Sequence, residues 1–150
     1  CSMDFLTDLI NNEVFMAAIL AWAIAQFLKT VYDCYKYKEF NIERLVGSGG
    51  MPSSHTALVV GLATAVGKKA GVNSELFAIV VVFTLVVMYD ATGVRQAAGK
   101  HAKAINRIVR QLRVEHTIDD ISLKELLGHT QLEVIAGAVL GFVVGCFFVK

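Results

Sequence analysis

The chain has 150 residues, 55% of them hydrophobic, and a mean hydropathy of +0.58, so it has room for one domain, 1–150, and is too apolar for an ordinary soluble fold. Fourteen Lys and Arg against thirteen Asp and Glu leave a formal charge of +1, and no nucleic-acid partner is expected. The three cysteines, Cys1, Cys34 and Cys146, have no paired spacing that suggests a disulfide framework or a zinc site, and nothing calls for a metal or another cofactor.

The N-terminal stretch to Glu13 holds Asp4, Asp8 and Glu13 and no basic residue. A first apolar run, Val14 to Leu28, lacks a small-residue cleavage site in a suitable place, which favours an anchored helix over a removed signal peptide. A loop with Lys36, Lys38 and Arg44 leads to the polar island Gly49-Gly50-Met51-Pro52-Ser53-Ser54-His55, and the island opens the second run, Thr56 to Val66. A short connection, Gly67 to Glu75, carries Lys68 and Lys69 and precedes the third run, Leu76 to Met88. The long connection from Asp90 to Thr130 ends in a second island, Gly128-His129-Thr130, with Glu133 four residues after the histidine, and the last run is Leu132 to Val149.

A helix needs roughly 20 residues to cross about 30 Å of hydrocarbon, so only the last run approaches a span unaided, and the others need their flanks, a tilt or a thin bilayer. None of the runs has the polar face of a surface helix. The reading is an all-α, polytopic membrane bundle of about four transmembrane helices. In the long connection Ala98, Ala102, Ile105, Ile108, Val109 and Leu112 recur at helical spacing, with Lys100, Lys103, Arg107, Arg110 and Arg113 between them. That pattern fits a basic amphipathic helix lying in the headgroup region, or an ordinary solvent-facing helix packed on the protein.

If all four runs span, the first and third connections, with Lys29 at the edge, carry eleven of the fourteen basic residues. The positive-inside rule places that side in the cytoplasm of a plasma (inner) membrane protein. The same topology puts Lys29, His55, Arg95 and His129 at one membrane surface. Gly49 and Gly50 permit a tight turn, Pro52 fits a first helical turn, and the N–H groups near Ser53, Ser54 and His55 lack partners inside a helix. Such a terminus attracts phosphate, or is simply a Ser-capped helix whose histidine covers its end. His129 and Glu133, at i and i+4, share a face, where a carboxylate on one ring nitrogen leaves the other free for attack, unless the two are only a surface pair. Glu133 lies in an apolar run, where an ionisable residue tends to have a partner or a function. Asp90 and Arg95 read as a local ion pair at a helix end.

Pro52-Ser53-Ser54-His55 resembles the Pro-Ser-Gly-His motif of the type 2 phosphatidic acid phosphatase (PAP2) superfamily, which includes the vanadium haloperoxidases. Gly128-His129-Thr130 with Glu133 and Gly137 is similar to that superfamily's third motif, in which an Asp follows the histidine by four. From Ala25-Gln26 and Lys29 through GGMPSSH, YDATGVR and LGHTQLEV, nearly the whole chain is closer still to the small divergent branch of these membrane proteins. The resemblance implies a two-step hydrolysis in which His129 attacks phosphorus to form a phosphohistidine. Glu133 would orient it and His55 would protonate the leaving oxygen. Lys29, Arg44, Ser53, Ser54, Arg95 and Lys124 are the candidates to hold the phosphoryl oxygens, where electrostatic stabilisation usually contributes most to catalysis. Asp90 and Thr130 are candidates to support them from behind.

The chain also departs from the wider pattern. The first motif, a Lys with Arg-Pro seven residues later, is absent, because Arg44 is followed by Leu45 and position 37 is Tyr. Ser122 stands at the right distance before His129, but Leu123 takes the place of the expected Arg. Four candidate spans replace the usual six. The functions implied are a lipid phosphatase acting on phosphatidylglycerol phosphate, phosphatidate or a polyprenyl pyrophosphate, or a non-catalytic membrane protein that binds anionic lipid or a partner. A haloperoxidase would need vanadate in the phosphate position and an oxidant. A bundle of short helices could complete its packing as a homodimer.

Overall fold

The computed structural model describes residues 2–37, 50–113 and 128–150. Two of the candidate phosphate ligands, Arg44 and Lys124, lie outside them. The described residues are all-helical, without a strand: α1 (Ser2–Asn11), α2 (Glu13–Tyr37), α3 (Ser54–Ala70), α4 (Glu75–Thr92), α5 (Val94–Arg113) and α6 (Gln131–Phe148).

Each boundary has a local cause. Asn12 separates α1 from α2 because its Oδ1 accepts the N–H groups of Val14 and Phe15, both at 3.1 Å, and so caps α2. Ser74 caps α4 by accepting from the N–H of Phe77 at 3.2 Å. Gly93 breaks the chain for one residue between α4 and α5. Pro52, expected in a first helical turn, instead precedes the cap. Ser53 is the N-cap of α3 and its hydroxyl accepts from Thr56, so the helix begins at Ser54.

Among the described residues, three stretches are long and apolar enough to cross a membrane: Glu13–Tyr35, Glu75–Val109 and Gln131–Phe148. The apolar share of the second lies in α4, because α5 is polar on average. α3, expected as a further span, has only 17 residues, about 26 Å at 1.5 Å per residue. It is the central helix, packed against α2, α4 and α6.

Small residues make that packing close. Ala17, Ala21 and Ala25 of α2 and Ala57 and Ala65 of α3 are fully buried. Gly137 and Gly141 of α6 lie so near α3 that a Cβ would stand 2.4 Å from the Ser53 carbonyl oxygen and 2.5 Å from that of Ala57. Lipid is as apolar as leucine, so helices in a bilayer gain by close backbone approach rather than by hiding large side chains. The large apolar residues accordingly face outward, among them Phe27, Leu76, Ile79, Val82, Leu132 and Phe142.

The four-residue spacing also aims the polar groups. Lys29 continues the series Ala17, Ala21, Ala25, and Glu133 precedes Gly137 and Gly141 by the same step, so both point into the bundle at one end. At the other end Lys68 Nζ donates to the carbonyls of Cys146, at 2.8 Å, and Val149, and Lys69 pairs with Glu13 at 2.7 Å. α2 therefore starts level with the end of α3, and its 25 residues carry it beyond Lys29 by two further turns.

Candidate functional site

The two polar islands meet where α3 and α6 begin. The Ser53 N–H donates to the Glu133 carbonyl at 3.0 Å, a backbone bond that ties the first island to the second. The His129 N–H donates to the Ala91 carbonyl at the end of α4, 2.9 Å away, and Gln96 Nε2 donates to the His129 carbonyl at 3.3 Å. Gly128, at φ +88°, lies against the start of α5, where a Cβ would come within 2.3 Å of the Gln96 nitrogen. A side chain fits neither that backbone angle nor that space.

Thr130 caps α6 in a capping box: its hydroxyl accepts from the Glu133 N–H at 3.3 Å, and Glu133 Oε2 accepts from the Thr130 N–H at 3.0 Å. The same Oε2 lies 3.1 Å from His129 Nδ1. A helix-start motif thus fixes a carboxylate, and the carboxylate fixes an imidazole. With Nδ1–H donating to Glu133, the lone pair sits on Nε2. His129 is only 3% exposed, and Nε2 is buried with no hydrogen-bond partner among the described residues. Burial holds the imidazole pKa below its ordinary 6.5, partly opposed by Glu133, while the charges of Lys29 and Arg95 push in the same direction as burial. The neutral ring is therefore favoured.

His55, in the first turn of α3, is within Coulombic reach of Arg95, His129, Lys29 and Asp90. Lys29 is 4% exposed, and Gly50, at φ +106°, covers its stem: a Cβ there would be 2.8 Å from Lys29 Cε. Arg95 Nε donates to Asp90 Oδ2 at 2.5 Å across the α4–α5 junction, so the expected ion pair forms beside the histidines. The N-termini of α3, α5 and α6 all lie at this end, and each contributes partial positive charge.

Of the candidates, Lys29, Ser53, Ser54, His55, Asp90, Arg95, His129, Thr130 and Glu133 are gathered at one end of the bundle. Ser53 is already committed, its N–H to Glu133 and its hydroxyl to the α3 cap, which leaves the first-turn N–H groups of Ser54 and His55 to face an anion. Gln96, the Ala91 carbonyl and the Lys29–Gly50 contact are additions that the sequence reading does not contain. The four-residue spacing from Ala17 to Lys29 is the signal that could have found the last.

The sequence model of the Divergent PAP2 family matches residues 10–144, a span that holds every one of these groups. The chain belongs to this family. Among relatives, the "Uncharacterized membrane protein YuiD" of Bacillus subtilis (strain 168) is 34% identical over 145 residues, which cover 89% of this chain and 92% of YuiD. No solved structure matches. As a divergent PAP2 protein the chain is a membrane protein, in keeping with the three membrane-length apolar stretches among the described residues.

Proposed function

We propose that this divergent PAP2 protein is a lipid phosphatase that hydrolyses a phosphomonoester or pyrophosphate headgroup through a phosphohistidine. The observation that carries this reading is the buried Nε2 of His129, which has no hydrogen-bond partner among the described residues and whose ring is oriented by Glu133. A buried ring nitrogen without a partner is costly in a merely structural role, and here it is surrounded by Lys29, Arg95 and His55. In the first step Nε2 attacks phosphorus, the phosphorus–oxygen bond to the lipid breaks, and His55, which takes up a proton once the bound phosphate's negative charge offsets burial and the charges of Arg95 and Lys29, gives that proton to the leaving oxygen. Water then attacks phosphorus, the phosphorus–nitrogen bond breaks, and His55 takes the water's proton. Lys29, Arg95 and the N–H groups of Ser54 and His55 hold the charge on the equatorial oxygens, and Arg44 and Lys124 are further candidates.

The substrate classes are those the resemblance implies: phosphatidylglycerol phosphate, phosphatidate or a polyprenyl pyrophosphate. The eleven basic residues in and beside the first and third connections favour a site at the cytoplasmic face of a plasma membrane protein. The incomplete first and third motifs favour a second reading, a non-catalytic protein that binds anionic lipid in the same pocket. Phosphate release from these lipids by purified protein separates the two. Turnover lost in both His129→Ala and His55→Ala supports the phosphatase, whereas retained lipid binding without turnover in the parent protein overturns it.

A further inference from the structure

The amphipathic segment of the long connection is α5, and its faces divide three ways. One stripe, Gly99, Ala102 and Asn106, is buried. A second, Val94, Ala98, Ile105 and Ile108, is apolar yet exposed, with Val94 at 64%, Ile105 at 46% and Ile108 at 54%. The third, Lys100, Lys103 and Arg107, is exposed and lies across the helix from the apolar stripe at 100° per residue. Ala102, assigned by spacing to the same face as Ile105 and Ile108, is thus part of a packed edge, and the isoleucines are left uncovered. All 20 residues of α5 include six Arg and Lys and no Asp or Glu.

A solvent-facing helix packed on its own protein would bury the isoleucines, and a span would not carry six positive charges. α5 leaves α4 at Gly93, at the end where α4 finishes its apolar run and the two histidines lie. We infer that α5 lies in the membrane surface at the site end, with Val94, Ala98, Ile105 and Ile108 in the acyl boundary and its basic face drawing anionic headgroups. Charge complementarity names the occupant: a helix without one acidic residue fits a leaflet of negative surface potential. The inference stands apart from the phosphatase reading, since no part of it requires turnover.

The test places the full chain in nanodiscs of neutral phosphatidylcholine, with or without phosphatidylglycerol. In an Ile108→Trp, Trp22→Phe protein the single tryptophan should emit to the blue and lose most of its emission to lipids brominated on the acyl chain. Amide exchange over residues 100–109 of the unsubstituted protein should slow in anionic discs, by about fivefold for each basic residue engaged. Lys100→Gln/Lys103→Gln/Arg107→Gln should abolish that difference. Ile105→Ser/Ile108→Ser, changed only at exposed positions, should speed exchange in both discs. Red-shifted, unquenched emission, or exchange indifferent to lipid charge, overturns the inference, as does protection that rises with protein concentration, which would assign the face to a second copy.

Discussion

Gly137→Ala tests whether close backbone packing builds the site. The added Cβ would sit 2.4 Å from the Ser53 oxygen, a backbone atom that cannot turn away, and ordinary contact begins at 3.4 Å. α6 and the start of α3 must therefore separate by about 1 Å, since overlap of this size cannot be absorbed by a rotamer change. The same movement stretches the Ser53 N–H to Glu133 carbonyl bond from 3.0 Å to about 4 Å, beyond hydrogen-bond range. Overpacking of this kind costs about 1–3 kcal/mol. The assay is a thermal midpoint in detergent together with hydrogen exchange at the Ser53 amide, with the lipid-facing Val139→Ala, 58% exposed, as the control. The substituted protein should lose stability and Ser53 protection together, and Val139→Ala should lose neither. An unchanged midpoint with Ser53 still protected would refute the argument.

Glu133→Gln keeps a side chain able to accept from Thr130 but removes the charge beside His129, so turnover should fall about 10²–10⁴-fold with little loss of stability; Glu133→Ala should lose about 1 kcal/mol of stability as well, and equal unfolding by both would defeat the assignment. Because burial holds the His129 pKa below 6.5, the neutral ring persists into acid, and the acid limb of the rate profile should lie below that value and move lower still in Glu133→Gln. By linkage, the His129 contribution to stability is full above the unfolded imidazole value and is lost as pH falls below it toward the folded value, which urea midpoints read between about pH 7 and pH 5 should follow. Lys29→Met removes a buried positive charge from the site, so KM for a lipid phosphate, read from the concentration dependence of phosphate release, should rise about tenfold to a hundredfold.

Much of this is legible in the sequence. The first three apolar runs lie within α2, α3 and α4, the fourth fills α6 and ends on its C-cap, Val149, and two short islands between them bring His55, His129, Lys29 and Arg95 to one end because successive helices alternate direction. The helix starts are less legible. Proline suits a first turn, so Pro52 reads as helical, but the hydroxyl of Ser53 competes for the same helix start and wins. Thr130-x-x-Glu133 is a capping box in plain view, yet the i,i+4 pairing of Glu133 with His129 hides its second partner. Gln96 and Ala91 act on His129 across more than 30 residues through contacts that no periodicity encodes.

The two extra turns of α2 give the site a depth. Lys29 lies eight residues before Tyr37, about 12 Å along the helix axis. Between them stand the exposed Tyr32 and Tyr35, side chains of the kind that settle at the level of lipid headgroups. If the site takes a lipid, as proposed, the headgroup would lie level with those tyrosines, about one to two turns along α2 from Lys29. On that reading, height in the bilayer would sort lipid phosphates from esters dissolved in water before either met a charged side chain.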